Sequence, residues 1–386
     1  MPFTSPPGAL ARAVKYAARW IDPKPIDAAH GGLLFQVAGG KLHVTGFNEN
    51  ATGRATIDVE TDGDMSFLIS GRLIAQLVDT FPDKPATFTD EGAAIGLKAG
   101  RWEGTLPAMS VSDYPRLPSE ATIAGHVNGD ALADAVARVA VAAGKDIVSR
   151  VALAGVHVAF GDGTLTLTAT DSYRAVRQSV EWTPYNGGPV GDAAIVFASV
   201  LVDAAEAFTG KVDAVAVGWK AGSFSLTTPE RSLVTRTIGD PTKPDDEFPT
   251  FGLAGLFATT STATAIVSAR DMAMPIKRAD LIRDRKSETV SLTFRENTVS
   301  VSASSEASSG GEDIDAKYDG ADCTVMVRSG LLHAALATAP GDEVVMGLVP
   351  ESMARGVRPK PIVLTSAADP TWRHIVMPVQ AQGSLR

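Results

Sequence analysis

A single cysteine, Cys323, among 386 residues leaves no partner for an intramolecular disulfide and excludes any cysteine-rich zinc module. The expected setting is reducing and cytoplasmic. No apolar run approaches the ~18 residues of a membrane-spanning helix. The opening residues Met1 to Pro7 also lack the basic and apolar regions of an export signal, so a soluble chain with no membrane partner is expected. Positive charge is in deficit as well: 35 Lys and Arg stand against 44 Asp and Glu, a net charge of −9 that excludes a uniformly basic coat but permits a locally basic face. The six histidines, at 30, 43, 126, 157, 333 and 374, show no metal-binding spacing, and no cofactor or metal is expected. Ala143-Gly144-Lys145-Asp146 lacks the upstream glycine and following Ser or Thr of a phosphate loop, and no Gly-x-Ser-x-Gly occurs. A catalytic constellation is therefore missing, and an enzyme is not expected. His43 and His157 fall on strands and read as surface or satisfied structural residues.

What is present is a threefold repeat. Three alternating segments read as β-hairpins: 33–37 with 42–45, 156–160 with 165–168, and 290–294 with 299–302, each turning at Gly, Asp or Asn. Lys41 to Thr164 is 123 residues and Thr164 to Thr298 is 134, close to a third of the chain and thus the size of a domain. Before each hairpin lies a helix-period segment, 8–21, 130–143 and about 269–284, with apolar sets such as Leu10, Val14, Ala17 and Ile21. A second helical segment follows each hairpin, 70–81, 198–208 and 329–339, and then more strands, 86–106, 212–237 and 343–378. Pro-rich or acidic breaks at 113–118 and 241–247 fall where the units join. The pattern predicts an α+β protein of three repeated domains, 1–120, 121–248 and 249–386, each with two helices packed on antiparallel sheet.

The first helix carries Arg12, Lys15 and Arg19, which at ~100° per residue form one stripe opposite Leu10, Val14, Ala17 and Ile21. Arg270, Lys277, Arg278, Arg283, Arg285 and Lys286 gather on or after the third unit's matching helix, whereas Arg138 and Lys145 of the second are diluted by Asp130 and Asp134. Solvated helix faces often carry such charges. Their recurrence in an acidic chain points to an electropositive surface that holds a polyanion by its phosphates without reading bases.

Arg150, Leu153, Gly155 and Val156, followed by Thr164-Leu165-Thr166-Leu167-Thr168-Ala169-Thr170-Asp171-Ser172-Tyr173-Arg174-Ala175-Val176, resemble the middle domain of the bacterial DNA polymerase III beta subunits, the sliding clamps, most like those of actinobacteria or their phages. Ser70-Gly71-Arg72-Leu73, Asp113-Tyr114-Pro115, Asp246-Glu247-Phe248-Pro249 and His374-Ile375-Val376-Met377-Pro378-Val379 agree in order and spacing, so the likeness spans nearly the whole chain. The resemblance implies a non-catalytic processivity factor: a head-to-tail homodimeric ring of clamp domains that encircles duplex DNA without sequence preference. It also implies partners, namely the DNA polymerase III alpha subunit, the clamp loader, repair polymerases and ligase, which insert linear peptide motifs into a groove. By position, Arg12, Lys15, Arg19, Lys24, Arg72, Arg138, Lys145 and Lys277 would face DNA. Arg150, Leu153, Thr170, Ser172, Tyr173, Arg174, Ala175, Pro249, Ile375, Met377, Pro378 and Val379 would form the groove, with Arg150 and Arg174 holding peptide carbonyls or a carboxylate. Ile375, Met377 and Val379 read equally as the core face of a terminal strand. Trp102 and Leu106 on one edge, and Leu281 and Ile282 near another, would form the dimer interface.

The chain departs from the family at several positions. Ala198-Ser199 stand where basic residues are frequent, Ala175 replaces a usual Leu, Gly252-Leu253 follow Phe-Pro in place of basic residues, and Gly104 lies where a large aromatic is common. Gln380 stands where Arg is common, and residues 381–386 run past the usual end. An alternative is thus a clamp-fold paralogue that keeps the groove but has lost DNA loading, as a decoy or a drug-tolerant copy.

Overall fold

A computed structural model describes residues 2–145, 149–185, 188–210, 213–239, 247–283, 288–354 and 356–379. Arg285, Lys286, the acidic pair Asp245-Asp246 and everything from Gln380 onward lie outside them. The chain divides into two compact units, Met1–Ala133 with Glu181–Thr237, and Asp134–Val180 with Ile238–Arg386. All six expected helices are present: α1 (Ala9–Ala18), α2 (Gly71–Val78), α3 (Gly129–Ala140), α4 (Ala198–Ala207), and, after the unexpected α5 (Thr250–Phe257), α6 (Ala269–Ile282) and α7 (Ser329–Ala337).

In the first unit, Gly32–Ala38 pairs with Lys41–Phe47 in the expected hairpin, flanked by Met65–Ser70 and Ala51–Asp58. The sheet continues without a break into the second repeat, because Ala51–Asp58 also pairs with Arg231–Arg236, Leu233 opposite Gly53. Beyond it come Ser223–Thr227, Val215–Lys220 and Ile123–Val127. Helix α1 lays Leu10, Ala13, Val14, Tyr16 and Ala17 on this sheet, and two strand glycines admit it so closely. A Cβ at Gly46 would collide with the Ala17 carbonyl, and one at Gly53 with the Trp20 ring. A second sheet runs Pro2–Ser5, Ala86–Asp90, Ala94–Ala99 and Trp102–Pro107, with Phe3, Phe35, Phe67 and Phe88 stacked at its core.

In the second unit the hairpin Gly155–Phe160 with Thr164–Thr170 leads into Arg174–Pro184, whose first residues pair with the last strand of the chain, Asp369–Val376. Ile362–Ser366, Glu343–Leu348 and Ala263–Ser268 extend that sheet. A separate four-stranded sheet holds the third hairpin, Thr289–Arg295 with Thr298–Ser304, between Cys323–Arg328 and Ser309–Asp315. Helix α6 packs beside α7, and its first turn is capped by the Ser268 hydroxyl, which accepts from the Asp271 amide at 3.0 Å.

Candidate functional site

The stripe on α1 is present, but two of its three cations lie in ion pairs. Arg12, Lys15 and Arg19 are all exposed, opposite the buried face. Lys15 Nζ meets the Asp79 carboxylate at 2.5 Å, and Arg19 Nη1 lies 3.3 Å from Glu206 and 3.4 Å from the Asp203 carbonyl. Those two acids belong to α4, the helix that begins at Ala198-Ser199 and carries no basic residue of its own. Lys24 and Arg72 are exposed in the same unit and lie in no ion pair among the described residues; Arg72 lines an open depression of about 1030 Å³ between α1, α2 and the following loop. In the second unit Arg138 turns to Asp134 at 3.3 Å and Asp369 at 3.9 Å, while Lys145 and Lys277 are exposed without a carboxylate partner among the described residues. The neighbouring Arg278 is held bidentately by Glu312.

The groove is built around one tight turn. Asp171 accepts from the Tyr173 and Arg174 amides at 3.0 Å, and the Thr170 hydroxyl accepts from the Ser172 amide while donating to the Arg174 carbonyl at 2.6 Å. This holds Ser172 at φ 75°, a left-handed conformation that costs a side-chain-bearing residue about 1 kcal/mol. The Arg150 guanidinium donates to the Ser172 hydroxyl at 3.1 Å, and the Met377 amide to the Tyr173 carbonyl at 2.9 Å, so the terminal strand closes on the turn. Ala175 sits opposite Ile375 in register.

The resulting cavity, about 450 Å³, is lined by nine of the twelve expected residues: Arg150, Leu153, Thr170, Ser172, Arg174, Ala175, Pro249, Ile375 and Met377. Tyr173, Pro378 and Val379 fall outside its wall. Tyr173 stands half exposed under the Arg328 guanidinium, 4.1 Å from the ring centroid, and the Val379 amide bonds the Met326 carbonyl at 2.8 Å, which draws both onto the third repeat's sheet. Arg174 is not a free anchor either, since its Nε is held 2.9 Å from Asp171. Arg358 also lines the cavity and has no ion-pair partner among the described residues. The opposite wall is α5, which contributes Gly252, Leu253 and Leu256, with Phe251 94% exposed at its outer side. Small, aliphatic and thioether groups around Arg150, Arg174 and Arg358, with Glu247 the one acid in the lining, can seat an extended peptide's apolar side chains and bind its carbonyls.

Beneath the groove His374 is fully buried with neither ring nitrogen partnered, and burial, aided by the Arg174 charge, pushes it down to about 3. His157 stacks on Phe248 and His43 bonds Thr56 at 2.9 Å; burial lowers both. Among the described residues no group of three His, Cys, Asp or Glu is placed to hold a metal, and no helix is long and apolar enough to cross a membrane.

The expected interface residues divide. Trp102 is 39% and Leu281 80% exposed, and Ile282 is half-buried against Gly310, on the strand Ser309–Asp315. Leu106 instead points inward at 6% exposure, because its alternation along Trp102–Pro107 places it on the sheet's core face. The Trp102 ring lies across Gly104, covering the position where an aromatic is absent.

Family models of the DNA polymerase III beta subunit match the chain in order: the N-terminal domain over residues 1–118, the central domain over 126–245 and the C-terminal domain over 255–380. The chain is 27% identical to the beta sliding clamp of Streptomyces coelicolor over 97% of its length and 98% of that protein's. It is 26% identical to the beta sliding clamp homolog GriR of Streptomyces muensis over 96% of its length and 97% of that protein's. In fold it is similar to the sliding clamp of Pseudomonas aeruginosa bound to griselimycin, with a TM-score of 0.89 at 17% identity over 99% of this chain and all of that one. With all three domain models matched in sequence and the same fold throughout, the chain belongs to the DNA polymerase III beta subunit family, the bacterial sliding clamps.

Proposed function

We propose that two copies of this chain join head to tail into a ring around duplex DNA, and that the ring, without catalysing a reaction, tethers the replicative polymerase, clamp loader and repair proteins through peptides seated in the groove. Family membership makes the chain a DNA polymerase processivity factor; the cytoplasm is the compartment where that task lies. Repeat boundaries near 120 and 248 fit this arrangement. In the first repeat the strand after the hairpin, Ala51–Asp58, pairs with the last strand of the second, Arg231–Arg236. In the second repeat the corresponding strand, Arg174–Pro184, pairs with the last strand of the third, Asp369–Val376. By the same rule the third repeat's Ser309–Asp315 needs the last strand of a first repeat, Trp102–Pro107. Both are edges, each with one strand partner among the described residues. A second copy supplies the missing partner twice, which closes the assembly.

Sedimentation of the chain and of Trp102→Arg tests the joint: the expected result is a dimer for the first and a monomer for the second. Once loaded, the ring should stay on closed circular DNA and leave when the circle is cut; equal retention on both forms excludes encirclement. A second role, as a clamp homologue that binds partners but loads poorly, is favoured by the acids that α4 sets against Arg19. Failure to support processive synthesis with a cognate loader, despite intact dimer and peptide binding, would select it.

A further inference from the structure

On the far side of α5 from the peptide groove, another cavity of about 530 Å³ has two arginines in its floor. Its floor is one face of three strands, on which alternate residues point the same way: Thr166, Arg177 with Ser179, and Thr371 with Arg373. Arg177 and Arg373 are direct cross-strand partners, an arrangement in which like charges repel. Both are half-buried, and neither lies in an ion pair among the described residues, in a chain where acids outnumber bases. The acid on the same strand, Asp369, is occupied by Thr371, Gln178 and Arg138. Helix α5 uses only part of the arginines: Arg177 lies over the Phe257 ring at 4.5 Å, and one Arg373 nitrogen donates to the Phe257 carbonyl at 3.0 Å. The remaining guanidinium N–H groups face a cavity whose lining holds no carboxylate, whereas its hydroxyls are engaged: Thr166 and Ser179 bond each other at 2.9 Å, and Thr371 Oγ1 lies 2.6 Å from Asp369 and 3.1 Å from the Ser179 carbonyl.

We propose that Arg177 and Arg373 form an oxyanion site that receives a phosphate or carboxylate group beside the peptide groove. Two guanidiniums in adjacent register match the planar, multidentate geometry of such anions. Because α5 forms one wall of the groove and a rim of this cavity, an anion bound here steadies the wall against which a peptide packs.

Inorganic phosphate titrated against the full chain at fixed ionic strength, with melting temperature as readout, tests the site. The wild type should gain several degrees over a chloride control, and Arg177→Gln and Arg373→Gln should lose most of that gain. Since either variant could loosen α5, Ala254→Glu provides an independent arm. It sets a carboxylate on the rim with both arginines in place, and should raise the melting point without phosphate and abolish the response to it. A groove-binding peptide with and without a flanking run of Asp identifies the source of the anion. A gain of about tenfold from the acidic run, erased in the arginine variants, assigns the site to a partner's carboxylates. No gain, with the phosphate response intact, assigns it to a free oxyanion. An identical phosphate response in the wild type and all three variants overturns the site, whether or not the groove binds any peptide.

Discussion

His374 should make the second unit acid-labile over a defined range. Its ring is fully enclosed, opposite Val176 and Leu364 in register and edge-on to Trp372, and it has no hydrogen-bond partner to stabilise a charge. The unfolded chain takes up a proton on this ring near pH 6.5, whereas the folded chain resists until about 3. Between those values the unfolded state binds more protons, so stability rises with pH; it is fully present above 6.5 and falls away as the solution is acidified towards 3. At about 1.4 kcal/mol per unit, moving from pH 7.5 to 5.0 removes about 2 kcal/mol through this one side chain. His43 and His157 act in the same direction, but His374→Leu leaves both in place and removes only the buried ring's contribution. Hydrogen exchange of the amides in Asp369–Val376 at the two pH values, in wild type and variant, reads the strand without assuming that the whole chain unfolds in one step. Protection should drop by more than tenfold on acidification in the wild type and much less in the variant. An equal loss in both would show that the ring is not the acid-sensitive element.

Other consequences are as direct. Met377→Ala should weaken a groove-bound peptide by about tenfold in fluorescence anisotropy while leaving the melting temperature within a degree or two, because the side chain lines the cavity and is only half-buried. Asp79→Asn with Glu206→Gln frees Lys15 and Arg19, and should tighten binding to short linear DNA and steepen its salt dependence by about one to two counterions. Unchanged DNA binding there would mean that α1 does not face the duplex. Gly53→Ala forces the Trp20 ring or the strand aside and should cost about 1–3 kcal/mol in urea denaturation of the first unit.

The sequence carried most of the framework because periodicity is local. Leu10, Val14 and Ala17 fix the buried face of α1 by spacing alone, and the Gly39-Gly40 and Gly161-Asp162-Gly163 turns fix two hairpins. Helix α5 left no such trace. Thr250–Phe257 is apolar on nearly every side, Gly252 and Gly255 lower its helical propensity, and Phe251 points out while Leu253 points in. Leu256 therefore leaves no sign in the sequence that it lines the cavity, and Leu253 stands out there only as a departure from basic residues. Lys15 with Asp79 and Arg19 with Glu206 were equally hidden, since their partners lie far apart in the chain and meet only through folding. The buried position of Leu106 is legible in its own alternation, as Ile95 and Leu97 on the neighbouring strand share the core.

The paired strands that join successive repeats are stitched by main-chain amides and carbonyls, which every residue except proline supplies. Such seams do not depend on which side chains flank them. Drift can then rewrite helix faces and cavity walls, including the acids opposite Arg19 and the glycines of α5, while the path of the backbone stays put. The fold shared with a chain only 17% identical, at a TM-score of 0.89, is what such seams permit.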